Sequence, residues 1–121
     1  MTQHKQLPDD MDEECIELCE AMNTLPGIWT IESCCGHGER NYRIWFRADD
    51  MKSLPRVLYY FNGCHTGHYD WKVTIETDCA MSYPTLCAVG PIGKRAYSES
   101  KHIAELIVRA AQEGKSSIGM E

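Results

Sequence analysis

The sequence has no long apolar runs. No segment approaches the roughly 18 apolar residues that a membrane-spanning helix needs. The first residues, MTQHKQLPDD, contain no apolar stretch typical of a secretion signal. No low-complexity tract indicates disorder. We therefore expect a cytoplasmic protein with no membrane partner, folded as one α+β domain over residues 1–121 with frayed ends at 1–8 and 115–121.

An excess of positive charge is also missing. The net charge is −6, but residues 9–20 carry seven acids and no base, whereas residues 21–121 hold eleven acids and eleven bases. A balanced body argues against strong nonspecific binding of nucleic acid. The acidic stretch fits the solvated face of a first helix, with acids near the positive helix N-terminus. A docking surface for a basic partner is the alternative.

Recognised zinc-finger spacings, phosphate-binding loops and dinucleotide fingerprints are absent too. Cysteine, in contrast, is abundant, with seven residues. Because no secretion signal accompanies them, reduced thiols or metal ligation are favoured over disulfides. Cys15 and Cys19 lie one helical turn apart on the apolar side of the first helix, so we expect them to be buried as small hydrophobic residues.

Alternation and helical spacing predict the order α-ββα-ββα. A mainly antiparallel four-stranded sheet with helices on one face accommodates this order. The second half also resembles the first, because Thr30-Ile31-Glu32-Ser33-Cys34 is similar to Thr74-Ile75-Glu76-Thr77-Asp78-Cys79, which indicates an internal repeat. The predicted elements are a helix capped by Asp9 or Asp10 and ending before Asn23, strands at 28–33 and 42–47, a helix at 53–61, strands at 71–77 and 85–89, and a helix at 98–112 that Gly114 ends.

Two loops combine cysteine with histidine. One carries Cys34 and His37, and the other carries Cys64 and His68, with His65 as an alternative ligand. Two such pairs supply the four sulfur and nitrogen ligands that tetrahedral zinc prefers. The opposing interpretation is that they are loop residues and partly buried thiols with unrelated roles.

The first of these loops also suggests thiol chemistry. Cys34 or Cys35 beside His37 fits a thiol with a lowered pKa. The group that would orient the imidazole is open among Glu39, Asp70 and Asp78. Gly36 and Gly38 are expected to leave backbone N–H groups accessible to an anion, so Cys35 and Gly36 are candidate ligand-binding residues.

The strand after this loop presents a polar strip. Arg43, Trp45 and Arg47 share one face by alternation, opposite Tyr42, Ile44 and Phe46. A basic–aromatic–basic strip suits stacking on bases and contacts with phosphate. These three residues are therefore further candidate ligand-binding residues. The alternative is an ordinary sheet face on which Glu32 and Glu76 pair with the arginines.

The run Thr30-Ile31-Glu32-Ser33-Cys34-Cys35-Gly36 resembles a Thr/Ser-Ser-Cys-Ser-Gly segment of the wybutosine-tRNA methyltransferase-like proteins. Cys35 stands at the position of that family's serine and His37 at that of its basic residue. The resemblance implies a small α/β domain that uses S-adenosylmethionine and tRNA. The chain also resembles small uncharacterised phage and bacterial proteins, a likeness that implies no activity.

Together, these patterns favour a small binding domain with a ligand or zinc site lined by Cys and His. An RNA-modifying or thiol-dependent enzyme is the second hypothesis. A protein-interaction module acting through the acidic first helix, with self-association as one outcome, is the third.

Overall fold

The computed structural model describes residues 7–49, 52, 54–61, 71–76 and 85–117, with side chains as far as residue 110. The order of elements matches the prediction. The helices are α1 (Glu13–Asn23), α2 (Leu54–Phe61) and α3 (Lys94–Ser117), with a short 3-10 helix at Gly36–Gly38, and the strands are β1 (Ile28–Cys34), β2 (Asn41–Ala48), β3 (Lys72–Glu76) and β4 (Thr85–Ile92).

The four strands form one antiparallel sheet in the order β1-β2-β4-β3. The predicted α+β class and antiparallel sheet are therefore confirmed. Strands β2 and β4 lie at the centre, and β1 and β3 lie at the edges. The internal repeat stays a prediction, and Cys79, which marks its second copy, lies outside the described residues.

The helices pack on the sheet face that carries Tyr42, as alternation along β2 predicts. The Tyr42 hydroxyl donates a 2.8 Å hydrogen bond to the carbonyl of Glu14 in α1. The Tyr42 ring also lies 6.4 Å from the ring of Tyr97 in α3 and 5.2 Å from that of Trp71. Trp71 in turn contacts Phe61 of α2, with ring centroids 5.4 Å apart. One aromatic cluster thus joins all three helices to the sheet.

The prediction of α3 was too short at both ends. Its start follows Gly93, whose φ of +76° places the backbone in the left-handed region and whose carbonyl accepts from the amides of Ala96 and Tyr97. Its end passes beyond Gly114, so the expected stop is wrong and residues 115–117 are helical. A single glycine costs a helix about 1 kcal/mol, which does not by itself end it.

Strand β4 also continues further than predicted, through the Gly-Pro sequence at 90–91. The Gly90 carbonyl accepts a 2.8 Å hydrogen bond from Asn41 Nδ2, and Asn41 pairs with Ile92. Gly90 lies so close to Trp71 that a Cβ would come within 2.7 Å of the indole. The glycine therefore makes room for the buried indole, which is a packing role and not a loop signal.

The described N-terminal segment begins at residue 7. Leu7 packs against the core although it falls in the predicted tail. Helix α1 begins after Asp12, later than the predicted caps at Asp9 or Asp10. This later start leaves the Asp12 side chain available for a contact outside its own helix.

Candidate functional site

Three side chains with metal-ligating atoms meet where α1 begins and β1 ends. Asp12, Cys35 and His37 each offer one ligand atom, and these atoms all lie within 4.8 Å of one another. Cys35 is buried at 3% exposure. Asp12 is partly buried, and the His37 side chain is 69% exposed. The cluster therefore has an inner thiol and an outer imidazole.

Asp12 connects the helix to the turn. Its side chain makes no capping hydrogen bond to α1. Instead, Oδ2 accepts a 2.9 Å hydrogen bond from the backbone amide of Cys35. This amide would otherwise lie at the end of a strand with no partner from the sheet, so the carboxylate satisfies it and fixes the two segments together.

The turn has a left-handed backbone at three successive residues. Gly36, His37 and Gly38 have φ values of +81°, +54° and +78°. Glycine is favoured at position 36, because the φ value is in the left-handed region and a Cβ would lie only 3.0 Å from the Asn41 carbonyl oxygen. His37 is the exception to the glycine preference, and histidine tolerates this region better than most residues.

This backbone folds the imidazole back over the cysteine. His37 Nδ1 lies 3.6 Å from Cys35 Sγ, and His37 Nε2 lies 4.0 Å from Asp12 Oδ2. The His37 amide also donates to Cys35 Sγ at 3.3 Å. The two ring nitrogens thus face the thiol and the carboxylate separately.

Asp12 and Cys35 differ in their protonation state at neutral pH. The hydrogen bond from the Cys35 amide holds the pKa of Asp12 below its usual value, and nearby His37 acts in the same direction. Asp12 is therefore ionised at neutral pH. Burial raises the pKa of the Cys35 thiol, and the Asp12 carboxylate adds to this effect. The lowered thiol pKa expected from the sequence is therefore not found at Cys35, which is protonated at neutral pH.

The predicted four-residue zinc set is only partly described. His37 is in the cluster, but Cys34 is not. Cys34 lies opposite Arg43 at the end of β1, and its Sγ accepts from the Gly36 amide at 3.4 Å. Cys64, His65 and His68 lie outside the described residues, as do Asp70 and Asp78. The set Cys34, His37, Cys64 and His68 therefore stays a prediction.

Sequence reasoning missed Asp12. It is 23 residues from Cys35 along the chain, and only the packing of α1 against β1 brings the two together. The acidic stretch gave a weak signal, because a carboxylate just before a helix often contacts backbone N–H groups. Nothing in the spacing distinguishes Asp12 from its acidic neighbours.

The strip on β2 is present, and two of its three side chains, Trp45 and Arg47, have local partners. Arg43 is exposed, as predicted. Trp45 Nε1 donates a 3.0 Å hydrogen bond to Glu76 Oε1. Arg47 lies over the Trp29 ring at 5.2 Å and pairs with Asp49 at 3.0 Å. Because the aromatic and one cation are engaged within the sheet, this face is mixed in charge, and nucleic-acid binding stays a prediction.

The buried thiols of α1 follow the prediction. Cys15 and Cys19 are both 0% exposed. Burial raises the pKa of Cys15 to about 11 and that of Cys19 to about 12. Both are therefore inert core residues at neutral pH.

Comparisons with known proteins assign no family to the chain. No family model, no curated protein and no solved structure matches it. The resemblance to wybutosine-tRNA methyltransferase-like proteins therefore stays a prediction. Among the described residues, no helix combines the length and apolar character needed to cross a bilayer.

Proposed function

We propose that this protein is a metal-binding domain whose centre consists of Asp12, Cys35 and His37, with zinc as the best-matched ion. The observation that carries this proposal is the convergence of one sulfur, one imidazole nitrogen and one carboxylate oxygen within 4.8 Å. These are the three ligand types that zinc takes in proteins.

The distances support a tetrahedral ion. Bonds of about 2.0–2.3 Å place neighbouring ligand atoms of a tetrahedral zinc about 3.3–3.8 Å apart. The 3.6 Å between Cys35 Sγ and His37 Nδ1 falls in this range. Because no pair of these ligand atoms is more than 4.8 Å apart, closing the widest gap needs a shift of at most about 1 Å, and the exposed His37 side chain has room to move.

The electrostatics around Cys35 favour a cation-binding role for its thiol over a role as a catalytic nucleophile. Burial and the Asp12 carboxylate disfavour the Cys35 thiolate. A divalent ion reverses this balance, because it neutralises the thiolate and the carboxylate together and releases the thiol proton. Three protein ligands also leave a coordination position for water or a bound molecule, which is the arrangement of reactive and not of purely structural zinc.

Cobalt(II) titration of reduced, metal-free protein tests the proposal. Cobalt replaces zinc in such centres and gives visible d–d bands together with a thiolate-to-cobalt charge-transfer band in the near ultraviolet. We expect binding of about one equivalent. Cys35→Ser removes the thiolate band, and Asp12→Asn and His37→Gly each weaken binding by at least about tenfold. His37→Gly also relieves the left-handed strain, so it removes a ligand with a net stability change below about 1 kcal/mol.

Cys34→Ser is the matched control. It removes the neighbouring thiol, which lies outside the cluster, and leaves binding unchanged. Absence of cobalt binding contradicts the proposal. Equal losses in Cys34→Ser and Cys35→Ser also contradict it. A loss in Cys34→Ser with none in Cys35→Ser would instead favour the zinc set predicted from the sequence.

A further inference from the structure

Residues of α1 and α3 line a surface groove between the two helices. It consists of two adjoining hollows of about 550 Å³ and about 330 Å³. Glu17 lines both hollows, so they adjoin at this residue between the two helices. We refer to it as the α1/α3 groove.

The dimensions of the groove suit a helical segment. Its α3 wall runs from Tyr97 through Lys101 to Val108, at spacings that place these side chains on one stripe. At 1.5 Å per residue this stripe is about 16 Å long, which equals about three turns of a helix. The α1 wall supplies a parallel row of side chains from Glu13 to Glu20.

Carboxylates dominate the lining, and apolar groups lie among them. Ile16 and Val108 are large hydrophobic residues that remain 37% and 40% exposed. The cations in the lining are Lys101 and Arg109. The carboxylates are those of Glu13, Glu14, Glu17, Glu20 and Glu105.

We propose that the α1/α3 groove binds a basic amphipathic helix of a partner protein. The apolar side chains of such a helix cover Ile16 and Val108, which a small polycation would leave in water. Its Lys and Arg residues face the row of glutamates, and this complementarity steers association and fixes orientation. Helix-in-groove recognition of this kind depends on apolar anchors at helical spacing. The proposal is independent of the metal centre.

Fluorescence anisotropy with designed peptides tests it. The probe is a fluorescein-labelled peptide of about fourteen Lys and Leu residues, with the leucines on one helical face. A scrambled peptide of the same composition separates recognition of an amphipathic face from simple charge attraction. At about 0.15 M salt, we expect the amphipathic peptide to bind at least about tenfold more tightly than the scrambled one.

Variants locate the binding. Glu17→Lys at the centre of the groove and Ile16→Ser at its wall are each expected to weaken binding by at least about fivefold. Glu39→Lys, which makes the same charge change at an exposed position outside the groove, is the control and leaves it unchanged. Three results would overturn the proposal. The scrambled peptide would bind as tightly as the amphipathic one, Glu39→Lys would weaken binding as much as Glu17→Lys, or an equal concentration of spermidine would displace the peptide. Melting temperatures confirm that each variant is folded.

Discussion

The Asp12 carboxylate accepts a 2.9 Å hydrogen bond from the backbone amide of Cys35, across 23 residues of sequence. This bond connects the start of α1 to the left-handed turn that follows β1. It also holds a negative charge next to a buried thiol and an exposed imidazole. A packing contact and a candidate metal centre therefore depend on the same carboxylate.

Asp12→Ala is expected to destabilise the metal-free protein by about 1.5 kcal/mol, at the low end for hydrogen bonds to charged groups because the side chain is 27% exposed. Asp12→Asn keeps an acceptor for the Cys35 amide and is expected to cost less. Urea unfolding at neutral pH measures both. Equal losses in the two variants would show that the hydrogen bond is not what stabilises the turn.

Gly36→Ala and Gly38→Ala separate backbone strain from crowding. Both residues have φ near +80°, so each substitution is expected to cost about 1–2 kcal/mol of left-handed strain. An added Cβ at Gly36 lies 3.0 Å from the Asn41 carbonyl oxygen, whereas one at Gly38 has no described heavy atom beyond its chain neighbours within 4 Å. We therefore expect Gly36→Ala to be clearly more destabilising in urea unfolding. Equal losses of stability in the two variants would show that the close approach of Asn41 to Gly36 does not contribute to the effect.

Alkaline pH is expected to weaken the fold through Cys19. Its thiol has a pKa of about 12 in the folded protein, against the ordinary value of 9.0. The unfolded chain therefore releases this proton first as pH rises. Below pH 9 the effect is absent, and between pH 9 and 12 Cys19 alone lowers stability with a slope of up to about 1.4 kcal/mol per pH unit. Cys15, whose pKa is raised to about 11, adds to the loss in the lower part of this range.

Urea unfolding from pH 8 to the onset of alkaline denaturation measures this slope. Cys19→Ala lowers the overall stability but is expected to flatten the dependence on pH. The result would go against the account if the variant kept the slope of the parent protein.

Trp45 is expected to shield a thiol on the sheet face opposite the helices. Trp45 pairs with Cys87 and reaches across β4 to Glu76, while Cys87 is only 1% exposed. Trp45→Ala is therefore expected to speed alkylation at Cys87 by at least tenfold, a rough figure for a thiol that becomes accessible without unfolding. Mass spectrometry of labelled peptides locates the site.

Two controls accompany this measurement. Trp29→Ala removes the other tryptophan of this face, which lies opposite Arg47, and leaves Cys87 protected. Labelling at Cys19 reports on global opening, because that thiol is buried in the core. Equal acceleration at Cys19 and Cys87 would mean that Trp45 stabilises the whole fold and does not shield Cys87 in particular.

The sequence predicted the order of elements because its strands alternate and its helices have apolar spacing. Tyr42 and Phe46 on the core face of β2, and Cys15 and Cys19 on the core face of α1, follow directly from these periods. The helix boundaries were less predictable. The start of α3 depends on the left-handed backbone of Gly93. The helix continues beyond Gly114, because a single glycine is only a weak stop signal.

The site was predictable only in part. The glycines around His37 indicate a special turn, and the backbone there is left-handed at three successive residues. Whether Cys34 or Cys35 turns inward depends on where β1 ends, since one residue reverses the direction of a side chain in a strand. The partner carboxylate depends on how α1 packs against β1, which no local pattern encodes. The structure therefore shows that Cys35, and not Cys34, joins His37 in the cluster, and it adds Asp12, which the sequence did not indicate.

X-ray absorption of the zinc-loaded protein tests the central proposal most directly. A centre of Asp12, Cys35 and His37 predicts one sulfur ligand at about 2.3 Å and the remaining nitrogen and oxygen ligands at about 2.0–2.2 Å. Two sulfur ligands, as in a centre of Cys34, His37, Cys64 and His68, would contradict it. So would a zinc ion with oxygen and nitrogen ligands only.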